Sequence, residues 1–452
     1  MNKKQELRQV FLPEIDFWKK LIQFAIPIAL QNVTVALFGI IDVSIISNMG
    51  EVAVSAVSIA NQVSFITTNV TFGITSGASV ILSRCFGAKD KDGFRKAFAI
   101  MLMLSVALNS VIAVASLIVP RQIIAMYTDE VILIPLGATY LVITAVTNIM
   151  YGISGSVVSF FRSVGKPSIP MYASLVTVFV KTGLNYLLIY GIGSIPAMGV
   201  TGAAIATLLA KLAEVTYYII MLIRYKEKEY RFQFADLRAI HLKDVGGFVK
   251  ETAPVIINET MWVLGNSSFN MIFGRMGITA VSAASVSKQL ENLCNAFFYG
   301  VGIGGCVTVS SMIGQEKHEE AKIAAKRYAV AGFEVGVLIM LLMLGINRPY
   351  VYTFFTDLTE ETRLVTVGMI TVYALYMPFR SMSSAIVIGS LRGLRDSVRA
   401  MYYDVLPIYL WAIPIGCLLA LVFDLPITVV LAVMMFKRVI KCVLGWRRLY
   451  KL

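Results

Sequence analysis

The sequence predicts an all-α polytopic membrane protein with twelve transmembrane helices in two six-helix bundles related by a parallel repeat. Composition is the first reason: 57% of residues are apolar, only 15% are charged and mean hydropathy is +0.75, outside the range of soluble domains. Run length is the second. The apolar stretches are continuous rather than alternating and about 20 residues or longer, enough to cross a bilayer as helices and unlike the strands of an outer-membrane barrel. Self-similarity is the third. The pattern between Pro27 and Gly87 returns without a gap between Pro254 and Gly314, 227 residues later. Met49-Gly50 falls on Met276-Gly277, Ala53-Val54-Ser55-Ala56 on Ala280-Val281-Ser282-Ala283, and Gln62 on Gln289. Gly73, Gly77 and Gly87 fall on Gly300, Gly304 and Gly314. A fixed-period match of this kind marks a duplicated architecture.

In order, the spans are expected at 21–47, 55–82, 97–119, 133–160, 170–190, 201–224, 250–274, 283–312, 328–347, 364–389, 401–422 and 425–446. Spans 1 and 7 carry Pro27 and Pro254 a few residues inside, where a lost backbone donor bends the helix, as a hinge or as a static kink. Spans 2 and 8 each carry a GxxxG, Gly73/Gly77 and Gly300/Gly304, which reads as close helix packing or as a sliding seam. Spans 4 and 10 are followed by matching basic loops, FRSVGK (161–166) and LRGLRD (391–396). An even number of spans separates the copies, so both enter the membrane in one orientation, an arrangement that typically forms a substrate site between two bundles. The most polar interior stretch, Arg224–Lys250, reads as a cytoplasmic linker and gives lobes at 1–235 and 236–452.

Charge placement sets the topology. Most of the 40 Lys and Arg fall at the two termini and in the even-numbered loops, heaviest in Arg84–Lys96, Arg224–Lys250 and Lys317–Arg327. The positive-inside rule then puts both termini in the cytoplasm of a multi-pass protein of the cell (plasma or inner) membrane. The net charge of +13 is explained by that topology and by attraction to anionic lipid, so no nucleic-acid partner is expected. Residues 1–20 mix acids and bases without a small-residue cleavage site, so no cleavable signal peptide is expected, and Val10–Lys20 could lie along the membrane surface. The five cysteines are scattered without a paired spacing, arguing against a disulfide framework or a zinc site. His241 and His318 both fall in loops, which argues against a histidine proton relay inside the membrane. The glycine run Gly300–Gly305 lies in an apolar helix and follows no strand, and no Walker A pattern occurs, so no nucleotide cofactor is expected. No paired-acid, metal or nucleophile constellation shares one depth, so no enzyme is expected.

Ionisable residues within the spans are the functional candidates, because a mid-bilayer carboxylate costs about 2.5–3.5 kcal/mol. Asp42, in the outer half of span 1, continues a polar stripe through Gln31, Thr34 and Phe38. Span 5 offers Ser174, Thr177, Lys181 and Asn185; span 2 Ser58, Gln62 and Asn69; span 4 Tyr140, Thr144, Thr147 and Tyr151. Such stripes suit either a hydrated substrate cavity or an interhelical hydrogen-bond network. Glu259 is followed by Trp262, Asn266 and Asn270, and an acid beside an indole can hold organic cations by charge and cation–π attraction. Lys288 and Glu291 form an i,i+3 pair that can neutralise itself. Lys181 stands alone in span 5, where an ammonium is tolerated only with a partner, most plausibly Asp42. Asp404 and Asp424, near span ends, are expected to reach headgroups. The repeat is broken at the acids: Asp42 faces Phe269, and Glu259 faces Asn32.

The stretches FAIPIALQNV, IDVSIISNMGEVAVSAVSIANQVSF and GITSGASVILSRCFGAKD resemble the opening of the multidrug and toxic compound extrusion (MATE) family, and LNYLLIYGIGSIPAMGVTGAAIAT (184–207) is similar to its fifth and sixth spans. The resemblance covers essentially the whole chain. It implies a secondary antiporter that exports cationic or amphipathic organic compounds against inward H⁺ or Na⁺ flow, needs no cofactor and is expected as a monomer. Asp42 matches the family's coupling acid on helix 1, so Asp42, Lys181, Asn185 and Glu259 are expected to couple the ion. Gln31, Thr34, Gln62, Asn69, Tyr151, Trp262, Asn266 and Glu291 are expected to meet substrate. Three departures stand out. Lys181 and Asn185 occupy helix 5 where many relatives carry Asn then Asp. Glu259 lies about one turn before the helix 7 glutamate of the sodium-coupled branch. The helix 10 aspartate of that branch is missing, since no acid occurs between Arg363 and Asp396. The alternative within the same superfamily is a flippase for lipid-linked oligosaccharide, expected to show several cavity cations, against Lys181, Lys211, Lys288 and Arg380 counted within spans.

Overall fold

The computed structural model describes residues 10–11, 14–47, 49–128, 130–191, 196–238, 240–356 and 358–452, and among them no strand occurs. The first half runs through α1 (Ile15–Ser47), α2 (Glu51–Gly87), α3 (Lys91–Ile118), α4 (Leu133–Ser163), α5 (Ser168–Tyr190) and α6 (Gly199–Arg224). The second runs through α7 (Leu242–Gly274), α8 (Ile278–Gly314), α9 (His318–Phe354), α10 (Glu360–Leu375, continued by Met377–Leu391), α11 (Ser397–Leu421) and α12 (Ile427–Met435, continued by Lys437–Lys451). Each expected span lies on one of these to within a few residues. Among the described residues nine helices are long and apolar enough to cross a membrane, ten if the bent α10 counts as one span. The two that fall outside that count are α7, which carries Asn258, Glu259, Asn266 and Asn270, and α12, interrupted at Phe436.

The duplication is written into the backbone. α1 and α7 have 33 residues each, α2 and α8 have 37 each, and every boundary is displaced by the same 227 positions. The sharp turns repeat too. Gly50 (φ 95°) and Gly277 (φ 99°) join the first two helices of each half in a conformation that side chains rarely adopt. Lys89 (φ 56°) pairs with Glu316 (φ 62°) at the same offset, and Gly165 (φ 74°) pairs with Arg395 (φ 64°) in the two basic loops.

By packing, the chain forms two units. The first comprises Leu30–Leu82 and Asp90–Ala253; the second comprises the described residues up to Ala29 together with Ser83–Lys89 and Pro254–Leu452. The divisions inside α1 and α7 fall within three residues of Pro27 and at Pro254 itself, where the helix has lost a backbone donor. Small residues permit the close contacts inside each unit. In the second, a Cβ on Gly300 would lie 2.7 Å from the Ala25 carbonyl oxygen and one on Gly304 2.8 Å from Phe24 Cβ. In the first, a Cβ on Gly77 would lie 2.9 Å from Thr252 Cβ. Gly77, Gly300 and Gly304 therefore sit at close helix contacts. At the ends of α2 and α8 the approach is tighter. A Cβ on Gly87 would sit 2.0 Å from the Ser311 carbonyl oxygen, and one on Gly314 2.0 Å from that of Arg84, a reciprocal pair that only glycine fits.

Three local features depart from the expected spans. The linker after α6 is docked rather than loose: Tyr230 meets Phe94 at 5.3 Å, Phe232 meets Phe98 at 5.7 Å, and Asp244 takes Lys96 at 2.8 Å. α10 bends by 46° at Tyr376, ahead of Pro378, and is not one straight span. Its last stretch, Ala385–Leu391, and the Pro407–Ala412 stretch of α11 are π-helical. A π turn takes up an extra residue and so shifts the face on which later side chains emerge.

Candidate functional site

In the first unit, α1 and α5 build a charged centre. Lys181 Nζ donates to Asp42 Oδ2 at 3.0 Å and Asn185 Nδ2 donates to Asp42 Oδ1 at 2.6 Å. The spacing of four places Lys181 and Asn185 on one face of α5, so both reach a single carboxylate. The Lys181 and Asp42 side chains are 12% and 10% exposed, and Asn185 is fully buried. The Tyr190 hydroxyl ties the two helices further by donating to the Ile45 carbonyl at 2.7 Å. Both carboxylate oxygens are therefore occupied by donors, one of them cationic. Nearby in sequence order, Tyr140 on α4 bonds Asn61 and Thr207 at 3.4 and 3.3 Å.

A second ion pair lies on α6. Lys211 Nζ donates to both oxygens of Glu214 at 3.0 Å and sits 4.1 Å from the centre of the Tyr151 ring, while Thr177 donates to Glu214 at 3.3 Å. Tyr151 thus already faces a protein ammonium. Gln31 is likewise engaged, accepting from Arg162 Nη2 at 2.8 Å. The remaining stripe residues are less cavity-like than expected. Gln62 is exposed, Thr34 is half-buried, and the amide of Asn69 bonds the Phe65 carbonyl of its own helix. Thr144, Thr147, Ser174 and Thr177 also return bonds to carbonyls three or four residues back, the helical habit of short polar side chains.

The second unit holds more charge than the sequence suggested. Arg392, 1% exposed, donates to Glu259 Oε1 at 2.7 Å. Asn258, oriented by its neighbours, accepts from Arg392 at 2.8 Å and donates to Asp404 at 3.3 Å. Asp404 takes Lys441 at 2.6 Å. Glu259 is therefore compensated by an arginine and is not an open cation site. Trp262 also meets a protein cation, with the Arg380 guanidinium 5.8 Å from its ring centre, and the Asn266 amide bonds the Trp262 carbonyl. Asp404 does not reach headgroups: it is an interior residue of a chain Glu259–Arg392–Asn258–Asp404–Lys441. Asp424 is exposed.

Glu291, 2% exposed, pairs with Lys288 at 3.0 Å as its spacing anticipates, but also with Arg438 of α12. Lys437, 6% exposed, lies 3.7 Å from the Phe269 ring centre, and among the described residues no carboxylate lies within salt-bridge distance of it. The count of four span cations was too low, because Arg392, Lys437, Arg438 and Lys441 are buried as well. Two causes hid them. Lys437, Arg438 and Lys441 fall inside the expected span 425–446 and went uncounted, and the π stretch before Arg392 alters the face on which it emerges. The i,i+3 and i,i+4 spacing of Arg438 and Lys437 with Lys441 was the available signal. No group of three or more metal-ligating side chains occurs among the described residues.

Comparison with known proteins follows the duplication. The MatE family model matches residues 27–187 and 254–418, two segments that begin at the repeated prolines. A probable multidrug resistance protein NorM of Bradyrhizobium diazoefficiens is 23% identical over 420 residues, covering 90% of this chain and 87% of its own. A probable multidrug resistance protein NorM of Thermotoga maritima is 22% identical, covering 93% and 89%. Among solved structures, an outward-facing multidrug resistance MATE family transporter of the MOP superfamily superposes with a TM-score of 0.86 at 14% identity, covering 100% of this chain and 98% of that one. The eukaryotic MATE transporter AtDTX14 gives 0.82 at 17% identity, covering 97% and 96%. The buried cations remove the counting argument against a flippase; these relatives, named for multidrug resistance, are what disfavour it. With a family model over most of its length and the same fold throughout, the chain belongs to the MatE family, the multidrug and toxic compound extrusion transporters.

Proposed function

We propose that this transporter is a secondary antiporter that exports amphipathic organic compounds in exchange for inward protons by alternating access, in a cell membrane with both termini in the cytoplasm. The observation that carries the reading is the Asp42 centre. Its carboxylate is buried in α1 and held by the Lys181 ammonium and the Asn185 amide, so its protonation removes the counter-charge of Lys181. The contacts between α1 and α5 then differ between the charged and neutral forms, giving two arrangements whose balance a proton gradient can bias. A sodium ion fits this centre poorly. Both carboxylate oxygens already accept from donors, and Na⁺ would have to displace an ammonium held at 3.0 Å. Relatives named for multidrug resistance support the amphipathic substrate class. The test is efflux of a fluorescent dye from vesicles given a pH gradient or a Na⁺ gradient separately. Export under the pH gradient alone, lost in Asp42→Asn at normal protein level, is expected. Export driven by Na⁺ alone would overturn the proton assignment.

A further inference from the structure

We infer that a cavity in the second unit binds an anionic group, a phosphate or carboxylate carried on an apolar body. The cavity has a volume of about 260 Å³ and is lined by α7, α8, α10 and α12. Three cations line it, Lys288, Lys437 and Arg438, and no carboxylate does. The acid that touches two of them, Glu291, is 2% exposed and compensates one charge. The Lys288 side chain is 41% exposed, so the buried positive charge rests on Lys437 and Arg438, with Glu291 shared between Arg438 and Lys288, and an ion buried without full compensation is costly. Lys437 rests on the face of Phe269, which attracts an ammonium without neutralising it. Arg438 is 5% exposed, and its Nη1 has no hydrogen-bond partner among the described residues. These are donors built into a buried wall and left without an acceptor. Asn266, half-buried, and Asn270 and Gln289, both exposed, add amides to the lining, while Phe269 and Phe273 supply an apolar surface. An anionic oxygen group answers every unmet feature at once, and an organic cation answers none. The site lies entirely in the second unit and does not depend on proton coupling at Asp42.

Binding to the purified transporter in neutral detergent tests this, with octyl phosphate as the probe and octyltrimethylammonium as its charge-reversed counterpart. Octyl phosphate is expected to bind and octyltrimethylammonium not to displace it. Lys437→Gln is expected to weaken octyl phosphate by about tenfold or more, the loss of one charge-assisted contact. Lys437→Arg should retain affinity, which separates lost charge from lost packing. Among the described residues Lys437 has no carboxylate partner to strand, so this variant is expected to fold, whereas Arg438→Gln removes one of the two cations that hold Glu291. Repeating the titration in nanodiscs identifies the source of the anion. Competition by phosphatidylglycerol but not by phosphatidylcholine names a bilayer lipid, and no competition names a soluble amphiphile; either supports the site. Equal binding of the two octyl probes, or unchanged octyl phosphate affinity in Lys437→Gln, overturns it. Loss of anion binding with intact gradient-driven efflux sinks this inference alone. Intact binding without gradient-driven efflux sinks the transport reading alone.

Discussion

Removing Lys181 tests whether the Asp42 centre is a coupled pair or two adjacent polar residues. The ammonium and carboxylate are 3.0 Å apart with side chains 12% and 10% exposed. Two unit charges at that distance attract by about 5 kcal/mol at an effective dielectric constant near 20. Deleting one member of a buried pair typically costs about 3–5 kcal/mol. Lys181→Met leaves Asp42 with only the Asn185 amide at 2.6 Å, so a loss near the lower end, about 3 kcal/mol, is expected. Asp42→Asn removes the carboxylate that holds the Lys181 ammonium at 3.0 Å and is also expected to destabilise the protein. The double variant leaves no carboxylate without its ammonium, so it should be more stable than Lys181→Met alone, with an interaction energy of about 3 kcal/mol. The assay is a four-corner cycle: unfolding of each protein in detergent, alongside pH-gradient-driven dye efflux at matched protein level. Stabilities that add to within about 0.5 kcal/mol would refute the pair. Additive effects on efflux with non-additive stability would leave the pair structural and refute its part in coupling.

The other centres give their own tests. Arg392→Met leaves Glu259 buried and uncompensated and should lower stability by about 3–5 kcal/mol, with partial recovery in Arg392→Met/Glu259→Gln; equal Tm for the single and double variants would contradict the pairing. Gly87→Ala and Gly314→Ala each drive a methyl group to 2.0 Å from a carbonyl oxygen, so both should cost upwards of about 1–3 kcal/mol and reduce monodisperse protein on size exclusion to a similar degree. Normal yield of either variant would show that the α2–α8 crossing can relax. Glu214→Gln strands Lys211 and should destabilise more than Lys211→Met/Glu214→Gln; thermal unfolding of the two decides.

The duplication was legible because it constrains the backbone. A 227-residue offset seen in Pro27, Gly50 and Gly87 reappears as identical helix limits and as matching left-handed turns at Gly50 and Gly277. Lys181 was legible as half of a pair because an isolated ammonium within an apolar run needs a partner, and Asp42 was the acid at matching depth. The second unit was harder to read. Lys437, Arg438 and Lys441 lie inside the expected span 425–446 but were left out of the span cations, and α12 carries all three into the interior. Nor does sequence spacing show that a π stretch, Ala385–Leu391, runs up to Arg392 in the loop motif LRGLRD.

The two halves have diverged in how they hold a buried ammonium, and the difference has consequences for charge. At one repeat position the first half has Asp42 and the second has Phe269. Each receives a lysine, Lys181 from α5 in the first case and Lys437 from α12 in the second. The carboxylate cancels the charge it holds; the ring only attracts it. Around Asp42 the sum is near neutral, so a single proton tips the balance, which suits a site that must answer to a gradient. Around Phe269 the charge survives, so an anion is what completes it. Placing Asp at 269 should therefore do two opposite things. Phe269→Asp is expected to give Lys437 a counter-ion and to abolish octyl phosphate binding, while leaving efflux dependence on Asp42 unchanged. Retained octyl phosphate affinity in Phe269→Asp would mean that the ring and the ammonium do not define the anion site, and the proposed division of labour between the halves would fail with it.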